Sequence, residues 1–333
     1  MTRKRLTRVV KKRFVAVAAL VTVSGLALSQ NAPRVLTLYT SEVQANVQQH
    51  IDLFKTQNAG VDVRLFRSGT GEVTAKLEAE FSANNPQADL IWVADQTYFQ
   101  GLSQKDRLTR IAPTFSGSSA TNAYEGGKYF EVRKLFNVIA INTNKVAGVK
   151  PKSFKDLLKP EYRNLLVMPN PLFSGAALST VGTLVNKNSW AYFEALRANG
   201  MKIEQSNPIT ITKLINGEYG VGILTDFNLR AEKQKGAPLE IVYPVEGAIL
   251  VPTPVGILKS SKNQALARQF LQFLYSQDSQ NLFVKQNYIP AVTGIARPTG
   301  APAKFNVISS AASFIAANRV EIGERFSKIF DLK

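Results

Sequence analysis

The segment Pro169–Val185, PNPLFSGAALSTVGTLV, holds the residues of this chain best suited to grip a ligand. An apolar run, Leu165-Leu166-Val167-Met168, passes through a proline-bounded loop into Ser174-Gly175-Ala176, and a helical pattern follows. The first turn of a helix has N–H groups with no intrahelical acceptor and a partial positive charge. A serine hydroxyl beside them completes a seat for a small oxyanion, phosphate or carboxylate. Ser174 has a second possible use, as a plain helix cap.

Similar polar clusters close other apolar runs: Thr40-Ser41-Glu42, Ser68-Gly69-Thr70-Gly71, Asp95-Gln96 and Thr225-Asp226. Glu246-Gly247 stands between two further runs. Each has an alternative reading. Asp95 and Asp226 can cap helices, Glu246 can serve a turn, and 68–71 can be a strand-to-helix turn. The 68–71 cluster lacks the lysine of a nucleotide phosphate loop. Catalytic apparatus is harder to find. The chain has no cysteine and one histidine, His50, which falls in the helical pattern Val43–Phe54 and is expected on its surface. No disulfide, thiolate metal site or cysteine nucleophile can form, and a Ser–His pair has no evident partner. No cofactor and no catalysis are expected. The enzyme alternative would use Asp226 and Glu246 as an acid/base pair.

The elements that must position these clusters alternate. Val35–Tyr39, Val61–Phe66 and Ala88–Val93 read as strands, each followed by a polar turn and a helical segment. That rhythm predicts an α/β fold with an open, mostly parallel sheet, whose ligands lie beyond the carboxyl ends of the strands. Val132–Asn142 reads as a strand crossing to a second lobe. There the pattern repeats through Met168, the Ser174 loop, the helical runs 190–198 and 209–215, and Tyr219–Leu224. Val255–Leu258 and a helix from Gln264 to Tyr275 return to the first lobe. The expected division is 1–32 export signal, 33–142 first lobe, 143–251 second lobe, 252–298 return to the first, and 299–333 C-terminal helices on the second.

The leader carries seven basic residues and no acid, then an apolar run of 15 residues, Phe14–Leu28, then polar Ser29-Gln30-Asn31-Ala32-Pro33. This is the plan of a cleaved export signal, and the run is shorter than the ~20 residues of a membrane span. Cleavage is expected after Ser29 or Ala32, with delivery to the periplasm. Of the net charge of +17, seven lie in the leader, and the remaining ten favour anionic partners. The cations are scattered and form no aromatic-interleaved stripe, so nucleic acid is not expected.

The motifs VLTLYTSE from Val35, ADLIWVADQ from Ala88, SGAALS from Ser174 and NGEYGVGILTD from Asn216 stand in a specific order. The stretch from Glu246 to Ser276 completes it. With them the chain resembles the type-2 periplasmic substrate-binding proteins of ABC importers. The branch is the one that includes ferric-iron, aminoethylphosphonate and sugar-phosphate binders. The resemblance implies two α/β lobes joined by two crossing strands, a monomer, and partnership with a permease. It also implies that Ser174, Gly175 and Ala176 grip an oxyanion, with Gln96 and Asn207 at polar positions around it. The adjacent tyrosines of iron binders are replaced by Thr225-Asp226-Phe227, and the early ligand position holds Thr40-Ser41-Glu42. Asp95 stands where those relatives place a glutamate. A kept anion grip without metal ligands implies a small solute that itself bears the anion, a phosphate ester or phosphonate. Asp226 and Glu246 would then accept its hydroxyl or ammonium groups. An iron site with atypical ligands, from Tyr98, Tyr243 and Asp95, is the alternative.

Overall fold

The computed structural model describes residues 1–2, 34–112 and 123–332. The expected export signal and most of the polar stretch 116–127 lie outside them.

Alternating apolar side chains set the first lobe. In β1 (Arg34–Thr40), Leu36 and Leu38 face one side and Tyr39 the other, because successive side chains in a strand point oppositely. After β1 come α1 (Gln44–Gln57), β2 (Val61–Arg67), α2 (Thr70–Ser82), β3 (Leu90–Trp92) and α3 (Gln96–Gln104). Val47 and Phe54 of α1 cover the Leu36 face, while Val73 and Leu77 of α2 and Phe99 of α3 cover the Tyr39 face. Each fully buried side chain of this size contributes about 1.5–3 kcal/mol. β2 and β3 both pair parallel to β1. β4 (Ala123–Tyr124) and β5 (Tyr129–Glu131) extend the edge, followed by β6 (Arg133–Lys134).

β7 (Phe136–Asn142) belongs to the second sheet. The expected boundary at 142 therefore falls at the far end of a second-lobe strand, and the crossing is made at 132–135. The apolar continuity of 132–142 hides this break, since both segments are buried. Two short 3-10 turns then lead to β8 (Leu166–Pro169), α4 (Gly175–Asn188), α5 (Ala191–Ala198), β9 (Lys202–Glu204) and α6 (Asn207–Ile215). β10 (Val221–Thr225), α7 (Asp226–Gln234), β11 (Leu239–Val242) and β12 (Ala248–Leu250) complete this passage. β8 pairs parallel to β9 and β10, whereas β7 runs antiparallel to β10, β11 and β12.

The chain crosses back at Val251–Thr253 into β13 (Pro254–Ile257), antiparallel between β3 and β5, and into α8 (Gln264–Leu274) and α9 (Gln277–Lys285). Antiparallel pairing follows because this strand enters the sheet from the opposite lobe. β14 (Ile289–Pro290) pairs with β6, β15 (Val307–Ile308) joins β12, and α10 (Ala312–Phe330) packs on α4 and α5 and also on α3 of the first lobe. Side chains tie the first two crossings together. Glu131 accepts from Thr253 N (3.1 Å) and Oγ1 (3.0 Å), and Arg133 Nη1 donates to Thr253 Oγ1 (2.7 Å). Burial pushes the Glu131 carboxyl up to about 7.

Among the described residues, no helix is long and apolar enough to cross a membrane. His50 is fully buried rather than on the helix surface. It lies 3.0 Å from Ser279 Oγ and 3.2 Å from Gln286 Oε1, beside Phe283. A single polar residue on an otherwise plausible helix face gave no sign that two polar partners wait on α9 and just beyond it.

Candidate functional site

A cleft of about 360 Å³ opens between the lobes, at the carboxyl ends of β1, β2 and β3 on one side and of β8 and β10 on the other. Five helices begin on its wall: α1 after Val43, α2 after Gly69, α4 after Ser174, α6 after Ser206 and α7 after Thr225. α1, α4 and α6 have no acidic residue in the first turn, so the partial positive charge of those ends is uncompensated.

Ser174 is the helix cap that its sequence allowed, and it lines the cleft. Its Oγ caps α4 by accepting from Ala177 N (3.2 Å), and it also accepts from Asn207 Nδ2 (2.8 Å). With its oxygen engaged twice, the hydroxyl keeps its proton for a further acceptor. The N–H groups of Gly175 and Ala176 precede the first internal bond of α4 and have no protein acceptor among the described residues. The cleft is thus a donor surface at this end. Ser41, Gly69, Thr70 and Thr225 also line it. Thr70 and Gly71 lie within α2, whose helix starts three residues earlier than its apolar pattern suggests.

The other expected residues lie elsewhere. Thr40 is fully buried, its Oγ1 donating to Trp92 O (2.7 Å), and it serves the β1–β3 junction. Ser68 bonds Glu72 on the surface. Asp95 caps α3 through Tyr98 N (3.1 Å), and it lines with Gln96 a small cavity adjoining the cleft. Asp226 is fully buried, paired with Arg230 (2.8 Å) and accepting from Phe136 N (2.9 Å), so it cannot reach a ligand. Glu246 lies in the second lobe, accepting from Phe154 N (2.6 Å) and lining a different cavity. The two carboxylates share no cavity, so they form no acid/base pair. Of the iron alternatives, Tyr98 donates to Glu78 (2.9 Å) and Tyr243 to Asp226 (3.1 Å); neither lines the cleft. Burial raises both phenols well above their usual range. Among the described residues, no group of three or more His, Asp or Glu could hold a metal ion.

Sequence reasoning missed Arg67 and the apolar wall, and it placed Glu42 in a polar cluster without assigning it to the site. Arg67 ends β2 at the cleft, with Nε donating to Glu42 O (2.9 Å) and no carboxylate paired to its guanidinium among the described residues. Its position as last residue of a parallel strand, before the 68–71 turn, was the available signal. Glu42 lines the cleft but is ion-paired with buried Arg133. Val43, Leu135, Phe173, Ile211, Ile215 and Phe227 supply apolar surface, and Glu232 stands on the α7 side, 2.8 Å from Lys235.

The lobes touch backbone to backbone at this cleft. A Cβ on Gly175 would lie 2.0 Å from the Ala94 carbonyl oxygen, and one on Gly71 would lie 2.4 Å from that of Leu172. Only residues without side chains permit such an approach.

Residues 86–314 match the sequence profile of the family described as bacterial extracellular solute-binding protein. The chain belongs to this family. It is a type-2 periplasmic solute-binding protein of ABC importers, built on the two-lobed fold of that group. An uncharacterized protein of Haemophilus influenzae is 29% identical over 297 residues, covering 83% of each chain. Among solved structures, the periplasmic binding protein AfuA of Actinobacillus pleuropneumoniae, with fructose-6-phosphate bound, superposes with TM-score 0.78. The match has 22% identity and covers 90% of this chain and 99% of that one. Iron-bound HitA of Pseudomonas aeruginosa gives TM-score 0.78 and 22% identity, with coverage of 88% and 99%. At these identities the two structures share the fold with this solute-binding protein, while their own solutes differ from each other.

Proposed function

We propose that this protein is the exported, non-catalytic capture component of an ABC importer for a small organic anion, a phosphate ester or phosphonate, which it delivers to a membrane permease. The observation that carries the reading is the donor end of the cleft. The Ser174 hydroxyl, the Gly175 and Ala176 N–H groups, and the Arg67 guanidinium, which meets no carboxylate among the described residues, all offer hydrogen to one guest. An oxyanion accepts several such bonds, each worth about 1.5–3 kcal/mol. Asn207 is a positioning residue in this scheme, holding the Ser174 oxygen so that the proton faces outward. The apolar wall favours a solute whose body is hydrocarbon over one lined with hydroxyls, because unpaired hydroxyls against it would lose their water without replacement. The six-residue cluster Ser41, Gly69, Thr70, Ser174, Gly175 and Ala176 is the proposed anion seat, with Thr225 at its margin.

Native mass spectrometry of the mature protein purified from its own host tests this directly. A co-purifying compound carrying phosphorus is expected. Calorimetry with alkyl phosphates and alkylphosphonates then gives the affinity, with a polyamine and ferric citrate as opposed chemistries. Tight binding of either of those, with no response to any phospho-compound, overturns the reading.

A further inference from the structure

The C-terminal helix belongs to one lobe and holds on to the other. Ile315 and Ile322 of α10 pack into the second-lobe core against α4, so closely at Gly182 that an added Cβ would lie 2.2 Å from Ile315 Cγ1. α10 is therefore anchored in the second-lobe core, while it also packs on α3 of the first lobe. Its helical geometry breaks at Asn318, where φ is −120° and ψ is 18°, and Asn318 Nδ2 turns back to donate to Phe314 O (2.8 Å). The next residue, Arg319, turns its side chain to the first lobe. Its Nη1 donates to Asp95 Oδ2 (2.5 Å) and to Thr97 Oγ1 (3.0 Å), both at the start of α3 in the first lobe.

The two partners are unequal. The Asp95 side chain is 2% exposed and the Arg319 side chain 38%. Asp95 already accepts from Tyr98 N and Thr97 Oγ1 through Oδ1, so Arg319 meets the remaining oxygen of a carboxylate that is otherwise walled in. Next to the pair lies the closest approach of the lobes, Gly175 against Ala94, with only about 10 Å³ of space left in the adjoining cavity. No residue of the pair lines the solute cleft. The contact therefore reports the relative position of the lobes, whatever solute is bound.

We propose that Arg319 and Asp95 form a latch across the lobe seam that biases the solute-free protein toward the closed state. Closure by solute then starts from an equilibrium already shifted, and apparent affinity depends on a pair outside the cleft. With α10 anchored on α4, opening separates Arg319 from Asp95 together with the α10–α3 packing around the pair. The paired carboxylate gains a water-filled seam on opening, so the bias is modest and sensitive to salt.

The test needs no knowledge of the solute, so its outcome is separable from that of the functional proposal. The chain has no cysteine, and Ala265 on α8 and Ala198 on α5 are exposed, one in each lobe. Spin labels on Ala265→Cys and Ala198→Cys report the distance between lobes by pulsed dipolar spectroscopy. The solute-free parent should show a major short-distance population. Arg319→Gln and Asp95→Asn should each raise the long-distance population about fivefold, and the double variant should add nothing to either. Arg319→Lys should give an intermediate result, and 0.5 M salt should move the parent the same way. An unchanged distribution in Arg319→Gln, or additive effects in the double variant, overturns the latch. If Asp95→Asn loses its fold through the α3 cap, Arg319→Gln and the salt series decide alone.

Discussion

Gly175→Ala separates solute binding from folding. Gly175 is the first residue of α4, where its backbone is helical and any residue fits. Within its own lobe the substitution is favourable, since alanine in a helix is better than glycine by up to about 1 kcal/mol. The obstacle lies in the other lobe. The new Cβ would stand 2.0 Å from Ala94 O, 2.8 Å from Ala94 C and 3.0 Å from Thr70 Oγ1. Two of these are backbone atoms of the turn that ends β3, which cannot swing aside as a side chain can. The lobes must retreat by about 1 Å or more to restore ordinary contact. A hydrogen bond stretched by that much is largely lost, and a solute held from both sides loses its bonds to one lobe. With Arg67 and one α2 N–H as the lost partners, at about 1.5–3 kcal/mol each, affinity should fall at least 10²-fold. Calorimetry with the solute recovered from the native host measures the loss, and thermal unfolding without solute measures stability. The expected result is a solute-free melting temperature close to the parent's, the helix gain being offset by loss of the modest closing bias, with binding nearly abolished. Parental affinity would show that the lobes do not close on solute in this geometry.

Three further outcomes are expected. Ser174→Ala removes a cap worth about 1 kcal/mol and strands Asn207 Nδ2, so it should lower both stability and, by about tenfold or more, affinity for phospho-solutes, as read by melting and calorimetry. Arg67→Gln should weaken anionic solutes about tenfold and flatten the salt dependence of binding, with stability unchanged because the side chain is exposed. His50 sets an acid limit: burial pulls its pKa from 6.5 down to about 3. Its stabilising contribution is complete above pH 6.5 and is lost as pH falls toward 3, at about 1.4 kcal/mol per unit. His50→Gln should flatten urea midpoints between pH 6 and 4 relative to the parent, and equal slopes in both proteins would refute this assignment.

The parts of the fold legible in the sequence were those with a local cause. Alternating strands, helix starts and the Ser174 loop all follow from residues within a few positions of one another. The donor end of the cleft was readable because a helix N-terminus is a local object, and Gly69 and Thr70 sat at a second one. The carboxylates misled for a specific reason. A polar residue at a strand end can face the cleft or turn beneath it, and the choice depends on partners elsewhere. For Asp226 a partner was in view, since Arg230 follows at the i+4 spacing that pairs charges on a helix. That pair, with Phe136 N arriving from β7, draws the carboxylate into the core. Glu246 gave no such sign, because its partner Phe154 N lies 92 residues away.

The same contrast explains how this chain divides recognition from closure. Solute-facing groups are local and donor-rich, and those that cap no helix, such as exposed Arg67, can be exchanged with little effect on folding. Closure depends on contacts between distant segments: Gly71 against Leu172, Gly175 against Ala94, and Asp95 with Arg319. Two of these require glycine on one side and bare backbone on the other, so they tolerate no side chain but impose no ligand chemistry. The third is an ion pair 224 residues apart in sequence, placed where the C-terminal helix breaks. A change of solute in such a protein needs substitutions only on the cleft wall, at positions such as Arg67, Phe173 and Ile211. The Gly71–Leu172 contact and the Asp95–Arg319 pair can remain as they are, because they lie outside the cleft, and Gly175, which stands at both cleft and seam, must stay glycine.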